Sequence, residues 1–265
     1  MLSNDSFSIT CKIGLKPNFS RFFESSAGFT TGGYSLVPNP EDLPRSFTFY
    51  RGYAQFVGGL SFIYLIVTAF YSEKRVSTMK GFISGNIPHL KELFAIITII
   101  FSIYAIIIAL LLFYLGGGEI LDDFALAFSA LSTGGTSPDS KIFQGFTTPE
   151  YVVMIAGMIL GALPFGFHYA FVRTKFLSIN LTKEVVVYLS LLAIFCIVFI
   201  LSMDANWLDS IFNIVSASTT TGFQTINFEN LNPIAFTVII MAMTIGGCGF
   251  STAGGIKIFR FMQFA

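Results

Sequence analysis

Between Leu93 and Leu115 run twenty-three residues without a single charge. About 20 apolar residues cross the hydrocarbon core of a bilayer, where a backbone must satisfy its own hydrogen bonds, so this stretch is expected to be a transmembrane helix. Tyr53–Tyr71, Tyr151–Phe171, Val185–Met203 and Pro233–Phe250 are apolar stretches of similar length. Only 11% of the 265 residues are charged and 54% are hydrophobic, against about 25% charged in soluble domains. The composition therefore excludes a soluble domain and predicts five transmembrane helices, the third kinked at Pro164. Met1 to Phe22 contains no apolar core of the length a cleavable signal needs. Cys11, Cys196 and Cys248 are odd in number and far apart, which predicts neither a disulfide framework nor a metal site.

One feature conflicts with a simple bundle. Ser216-Ala217-Ser218-Thr219-Thr220-Thr221-Gly222-Phe223 is polar and lies between apolar spans. Lipid-facing backbone of this kind would cost several kcal/mol per unpaired group, so the run must line water or an ion path. It also recurs. Leu121 to Gly135 aligns without a gap on Leu208 to Gly222, matching Leu-Asp, Ser-Ala and Thr-x-Gly, and Phe22 to Tyr34 fits the same frame. A second motif follows each copy: Gly58-Gly59 lies 25 residues after Gly33, Gly161-Ala162 lies 26 after Gly135, and Gly246-Gly247 lies 24 after Gly222. Three paired matches at near-constant spacing define an internal repeat.

Each unit reads as helix, short segment, Thr/Gly loop, helix. The short segments Asp122–Leu131 and Asp209–Ser218 reach roughly 15 Å as α-helices, half a bilayer, so they are expected to enter and stop. The fold class expected is all-α and integral to the membrane, with repeated helix, re-entrant pore helix, loop and helix. Unit one is expected to cover residues 1–90 without its first helix, unit two 91–182 and unit three 183–265. Gly tolerates φ > 0 and lets carbonyls aim at a common axis, where they and the Thr hydroxyls can replace the water shell of a monovalent cation. With no carboxylate or imidazole in the loops, a divalent site is not expected. A lone Ser/Thr/Gly run is more often a small-residue helix contact or a turn; three copies reverse that and favour the ion path.

Gly246-Gly247-Cys248-Gly249-Phe250-Ser251-Thr252-Ala253-Gly254-Gly255 holds five glycines. Each costs about 1 kcal/mol relative to Ala in a helix, so the fifth span is expected to break and form a flexible constriction, a gate. The milder Gly58-Gly59 and Gly161-Ala162 pairs read as close helix packing. Lys257 and Arg260 are expected to snorkel to the cytoplasmic interface. The segments carrying Lys74, Arg75, Lys80, Lys91, Arg173, Lys175, Lys183, Lys257 and Arg260 hold only Glu73, Glu92 and Glu184 as acids. By the positive-inside rule they are cytoplasmic, which puts the Thr/Gly loops on an acidic outer side. No nucleophile constellation, phosphate loop or nucleic-acid footprint is present, and no enzyme is expected.

The chain resembles the ion-translocating subunit of the Trk/Ktr/HKT potassium transporters, bacterial Trk type. The residues that carry the resemblance are Thr30-Thr31-Gly32-Gly33-Tyr34, Ser132-Thr133-Gly134-Gly135-Thr136 and Thr219-Thr220-Thr221-Gly222-Phe223. To these add Gly246-Gly247-Cys248-Gly249 with Ser251-Thr252-Ala253-Gly254-Gly255-Ile256-Lys257, and Leu160 to His168. The resemblance implies three of four filter loops around a pore, with K⁺ as substrate at Gly33, Gly135 and Gly222 and no cofactor. It also implies an intramembrane gating loop, in which Phe250 stands where a smaller residue is common. A bacterial inner-membrane location among lipid, a homodimer, a cytosolic nucleotide-binding regulatory subunit and no nucleic acid complete the implied picture. Two other readings stay open from the residues alone: a carrier for another small solute or for Na⁺, and a non-conducting membrane subunit.

Overall fold

The computed structural model describes residues 17–37, 39–70, 90–173, 183–203, 206–228 and 231–264. Cys11, Glu73, Lys74, Arg75, Lys80, Lys175 and Asp204 lie outside them, as do the side chains of Lys91, Glu92 and Arg173. All regular elements among the described residues are helices. They are α1 (Pro17–Phe29), α2 (Arg45–Phe70), α3 (Leu90–Gly116), α4 (Ile120–Leu131), α5 (Thr148–Ala162), α6 (Phe165–Arg173), α7 (Lys183–Ser202), α8 (Trp207–Ser218), α9 (Pro233–Ile245) and α10 (Ile258–Phe264), with short 3₁₀ turns at Pro40–Asp42 and Ile142–Gly145.

The expectation of five spanning helices is corrected in part. Two described helices, Phe94–Gly116 and Lys183–Ser202, are long and apolar enough to cross a bilayer as they stand. On α3 the buried face Ile97, Phe101, Ala105, Ile108 and Leu112 follows the helical period. Its exposed face, Ile99, Ile103, Ile106, Ile107 and Leu110, is equally apolar, as a face turned to lipid requires. The third stretch is not one kinked helix: Pro164 separates α5 from α6, which meet at 103°. The fifth is shorter than its apolar run, because α9 ends after 13 residues at Gly246. The first is the 26-residue α2, whose first half carries the buried polar residues Arg51 and Gln55.

The short helices sit inside this frame. α4 and α8 each have 12 residues, about 18 Å at 1.5 Å per residue, too short to cross. α4 packs against α2, α3 and α5, and α8 against α5, α7 and α9. Helices enclosed on several sides should be apolar or small all round, and Ala125, Leu126, Ala127, Ala130 and Leu131 on α4 are all buried. Aromatic side chains of the preceding unit grip each one. The Phe128 ring lies 4.9 Å from Phe56 and 5.9 Å from Tyr53, and the Phe212 ring lies 5.1 Å from Phe143 and 5.2 Å from Tyr151.

Candidate functional site: three Thr/Gly loops around a cavity

The three short helices end in one repeated device. At the end of α4 the Thr133 N–H bonds the Ala130 carbonyl at 3.2 Å and the Gly134 N–H bonds that of Ser129 at 2.9 Å. The equivalent bonds run from Thr31 to Gly28 and Gly32 to Ala27 after α1, and from Thr220 to Ala217 and Thr221 to Ser216 after α8. This is the Schellman pattern, which needs a left-handed residue just past the helix. Here that residue is threonine each time, with φ of 53° at Thr31, 53° at Thr133 and 56° at Thr220. A β-branched residue in that region is an outlier that costs roughly 1–2 kcal/mol. The preceding hydroxyls repeat as well: Thr30, Ser132 and Thr219 each donate back to the carbonyl four residues earlier, at 2.7, 2.7 and 2.8 Å.

The strained threonines have a common position. Thr31, Thr133 and Thr220 line one open cavity of about 650 Å³, together with Thr252, Gly254 and Lys257 of the glycine-rich stretch. Sites that hold strained backbone are over-determined by their surroundings and cluster where function needs them. The cavity thus brings together residues from all three loops and from the expected gate.

The glycines two positions further on fix how the loops neighbour one another. Gly33, Gly135 and Gly222 have φ of 69°, 73° and 94°. A Cβ on Gly33 would lie 2.6 Å from the Gly134 carbonyl oxygen of the next loop, and a Cβ on Gly135 would lie 2.1 Å from that of Thr221 in the loop after it. Loop one meets loop two as loop two meets loop three. A Cβ on Gly222 would meet nothing within 4 Å among the described residues.

The residues that stake the loops were not evident from the motifs. In unit one, Glu24 on α1 accepts from the Leu36 N–H at 2.5 Å and from the Ser35 hydroxyl at 3.0 Å, and pairs with Arg51 of α2 at 3.5 Å. In unit three, Asn213 holds the same frame position and accepts from the Thr225 N–H at 3.2 Å. Both bonds join residues twelve apart. Unit two has Leu126 and Pro138 at the corresponding places: the acceptor is gone and so is the N–H it would serve. Its loop is held from outside. Gln55 on α2, fully buried, donates to the Gly134 carbonyl at 3.0 Å and accepts from Thr136 at 2.7 Å. The flanking aromatics differ too. Phe223 is 3% exposed, its ring 5.0 Å from Phe143, whereas Tyr34 is 73% exposed.

The glycine-rich stretch leaves the helix as expected. Gly246 and Gly255 have φ of 73° and 80°, and Phe250, at φ 53°, also takes the left-handed conformation. The excursion touches the loops directly: the Gly254 N–H donates to the Thr220 hydroxyl at 2.5 Å, and the Thr252 hydroxyl lies 2.9 Å from the Leu131 carbonyl. Lys257 is corrected. Its ammonium does not reach away to an interface but donates to the Ala253 carbonyl, and the residue lines the cavity. Arg260 is exposed, its guanidinium 5.6 Å from the Phe259 ring centre. At the start of α4, burial together with the Asp122 and Glu150 carboxylates pushes Asp123 up to about 6. One of its oxygens is buried without a hydrogen-bond partner among the described residues.

Half-length helices that stop on strained Thr/Gly turns, set among apolar helices long enough to cross a bilayer and around a shared cavity, define an all-helical membrane protein. The chain belongs to the TrkH family of cation transport proteins, whose family model matches residues 5–193 and 172–264. It is 31% identical over 251 residues to an uncharacterized cation transporter of Methanocaldococcus jannaschii, covering 91% of this chain and 51% of that protein. It is 28% identical over 254 residues to the Trk system potassium uptake protein TrkI of Halomonas elongata, covering 90% and 51%. Among solved structures, the potassium transporter TrkH from Vibrio parahaemolyticus superposes with a TM-score of 0.77 at 23% identity, covering 92% of this chain and 53% of that one. The chain spans about half the length of these relatives.

Proposed function

We propose that this chain supplies three walls of a K⁺ pathway through a membrane, with the loops at Gly33, Gly135 and Gly222 forming a selectivity filter. The observation that carries the reading is the repeated neighbour relation. Gly33 abuts the Gly134 carbonyl and Gly135 that of Thr221, while a Cβ on Gly222 would meet nothing within 4 Å among the described residues. A relation repeated twice with one side free supports the reading of a ring that a fourth loop of the same kind would complete. Carbonyls and hydroxyls around such an axis replace the water of a monovalent cation. Thr31, Thr133 and Thr220 then stand at the inner mouth of the filter, and the 246–255 excursion gates the cavity below them.

In this reading the loops face the outside and the basic segments the cytoplasm of a bacterial inner membrane. Two copies of the complete protein pair, and a cytosolic nucleotide-binding subunit governs opening. The names of the relatives, Trk system potassium uptake proteins, support K⁺ as the substrate. The test is Gly222→Ser in the complete protein, with K⁺ and Na⁺ uptake measured side by side in cells lacking other K⁺ uptake. A fall of roughly tenfold or more in K⁺ uptake, or in preference for K⁺ over Na⁺, is expected. Unchanged uptake and preference would remove the filter assignment.

A further inference from the structure

The break between α5 and α6 has a partner. In an unbroken helix the Gly161 carbonyl would accept from the Phe165 N–H, and the Ala162 carbonyl from the N–H of Gly166. Pro164 interrupts that ladder, having no N–H and a ring that crowds the preceding turn. The Leu160 carbonyl, which residue 164 would have served, lies 3.0 Å from His168 Nε2. The next groups are satisfied by the glycine-rich excursion. Gly161 accepts from the Thr252 N–H at 3.2 Å and has the Thr252 hydroxyl at 2.8 Å, Ala162 accepts from the Cys248 N–H at 3.1 Å, and the Phe165 N–H donates to the Phe250 carbonyl at 2.9 Å. Residues 248–252 thus take the place of the turn that Pro164 removes.

The seat is shaped for this occupant. A Cβ on Gly161 would lie 2.5 Å from the Leu131 carbonyl oxygen and 3.1 Å from the Thr252 hydroxyl, so only glycine lets α4, α5 and the excursion meet. A second catch comes from α7, where the buried Glu184 accepts from the Gly249 N–H at 2.5 Å. The base of the excursion is separately closed. Ile256 and Lys257 donate to the Thr244 and Ile245 carbonyls at 2.9 and 3.1 Å, and Ile258 to that of Gly247 at 3.1 Å. The first two of these bonds cap carbonyls of the last turn of α9, outside the excursion. Gly246 and Gly255, both at positive φ, flank the excursion.

We propose that the α5–α6 break at Gly161–Pro164 is the seat that holds the glycine-rich excursion in its cavity-lining position, so that the excursion leaves the path by unseating from this break while its neck stays closed. Pro164 is then a positioning residue for the gate: it exposes the backbone groups on which the excursion rests. The proposal deepens the gating reading above and depends on it.

The experiment uses the complete protein in proteoliposomes and compares Pro164→Ala, Thr252→Val and a variant lacking residues 247–254. Basal K⁺ flux and the K⁺/Na⁺ flux ratio are measured for each. Pro164→Ala lets the helix reclaim its own bonds, and Thr252→Val removes the hydroxyl between Gly161 and Leu131. Each is expected to raise basal K⁺ flux roughly threefold to tenfold, the effect of about one lost hydrogen bond, with the ratio unchanged. A merely structural defect would lower flux or alter the ratio. If the deletion raises flux while both point variants leave it unchanged or lower it, the seat is overturned and the gate stands. If the deletion leaves flux unchanged, the gate reading fails and takes the seat with it.

Discussion

The second and third loops follow the same backbone course and are supported in opposite ways. Loop three is staked from within its own unit, by Asn213 accepting from Thr225. Loop two carries Leu126 and Pro138 at those positions and borrows Gln55 from α2 of the unit before it. Deleting acceptor and donor together leaves no orphaned group, whereas deleting one would cost about 1–3 kcal/mol. The repeat has therefore conserved what the loop must do, a left-handed threonine followed by a left-handed glycine, and exchanged what holds it there. Supports taken from a neighbouring unit also tie the units together, which a self-contained loop does not require.

The comparison can be broken most sharply at Asn213. Its side chain donates to the Asp209 carbonyl at 2.7 Å and to the Thr225 hydroxyl at 2.6 Å besides accepting from the Thr225 N–H. Asn213→Leu copies the side chain of unit two without its proline. We expect a loss of about 2–4 kcal/mol, since several buried groups lose partners together, read as a lower thermal midpoint in detergent and as lost K⁺ uptake by the complete protein. A variant as stable as the parent would show that the internal stake carries no weight.

A smaller effect is expected at the borrowed support. Gln55→Leu strands the Gly134 carbonyl and leaves the Thr136 hydroxyl only its 3.5 Å contact with the Ser129 hydroxyl, for about 1–3 kcal/mol. Because the damage lies at loop two, K⁺/Na⁺ preference should fall further than it does for an equally destabilising change on the outer face of α3. Equal preference for the two variants would count against Gln55 as a loop support.

The smallest effect concerns the acidic start of α4. The Asp123 carboxyl titrates near 6 in the folded chain against an ordinary value of 3.8. The folded state thus holds its proton more tightly, and folding stability falls as pH rises from about 4 to about 6, then levels off. Asp123→Asn should remove this component, raising the thermal midpoint by a few degrees at pH 7 and leaving it nearly unchanged at pH 4. An equal shift at both pH values would assign the effect to something other than titration.

Much of this molecule was legible in its sequence. The half-length helices, the loops at Gly33, Gly135 and Gly222, and the break at Gly246–Gly255 follow from local rules: helix rise, the need for φ > 0, and the cost of glycine in a helix. Pro164 announced a break as well, although not its 103° angle, and the motif gave no hint that Thr31, Thr133 and Thr220 carry strain.

What sequence alone determined is the repeat and the chemistry of each loop, because those depend on residues within about a dozen positions of one another. Only tertiary structure decided which groups meet across units. Gln55 and Gly134 are 79 residues apart, Thr252 and Gly161 91, and Thr252 and Leu131 121. No spacing rule links such partners, and each bond exists because packing has already fixed both backbones. The same holds for the contacts around the Pro164 break: a missing N–H is visible in the chain, but the groups that gather there are not.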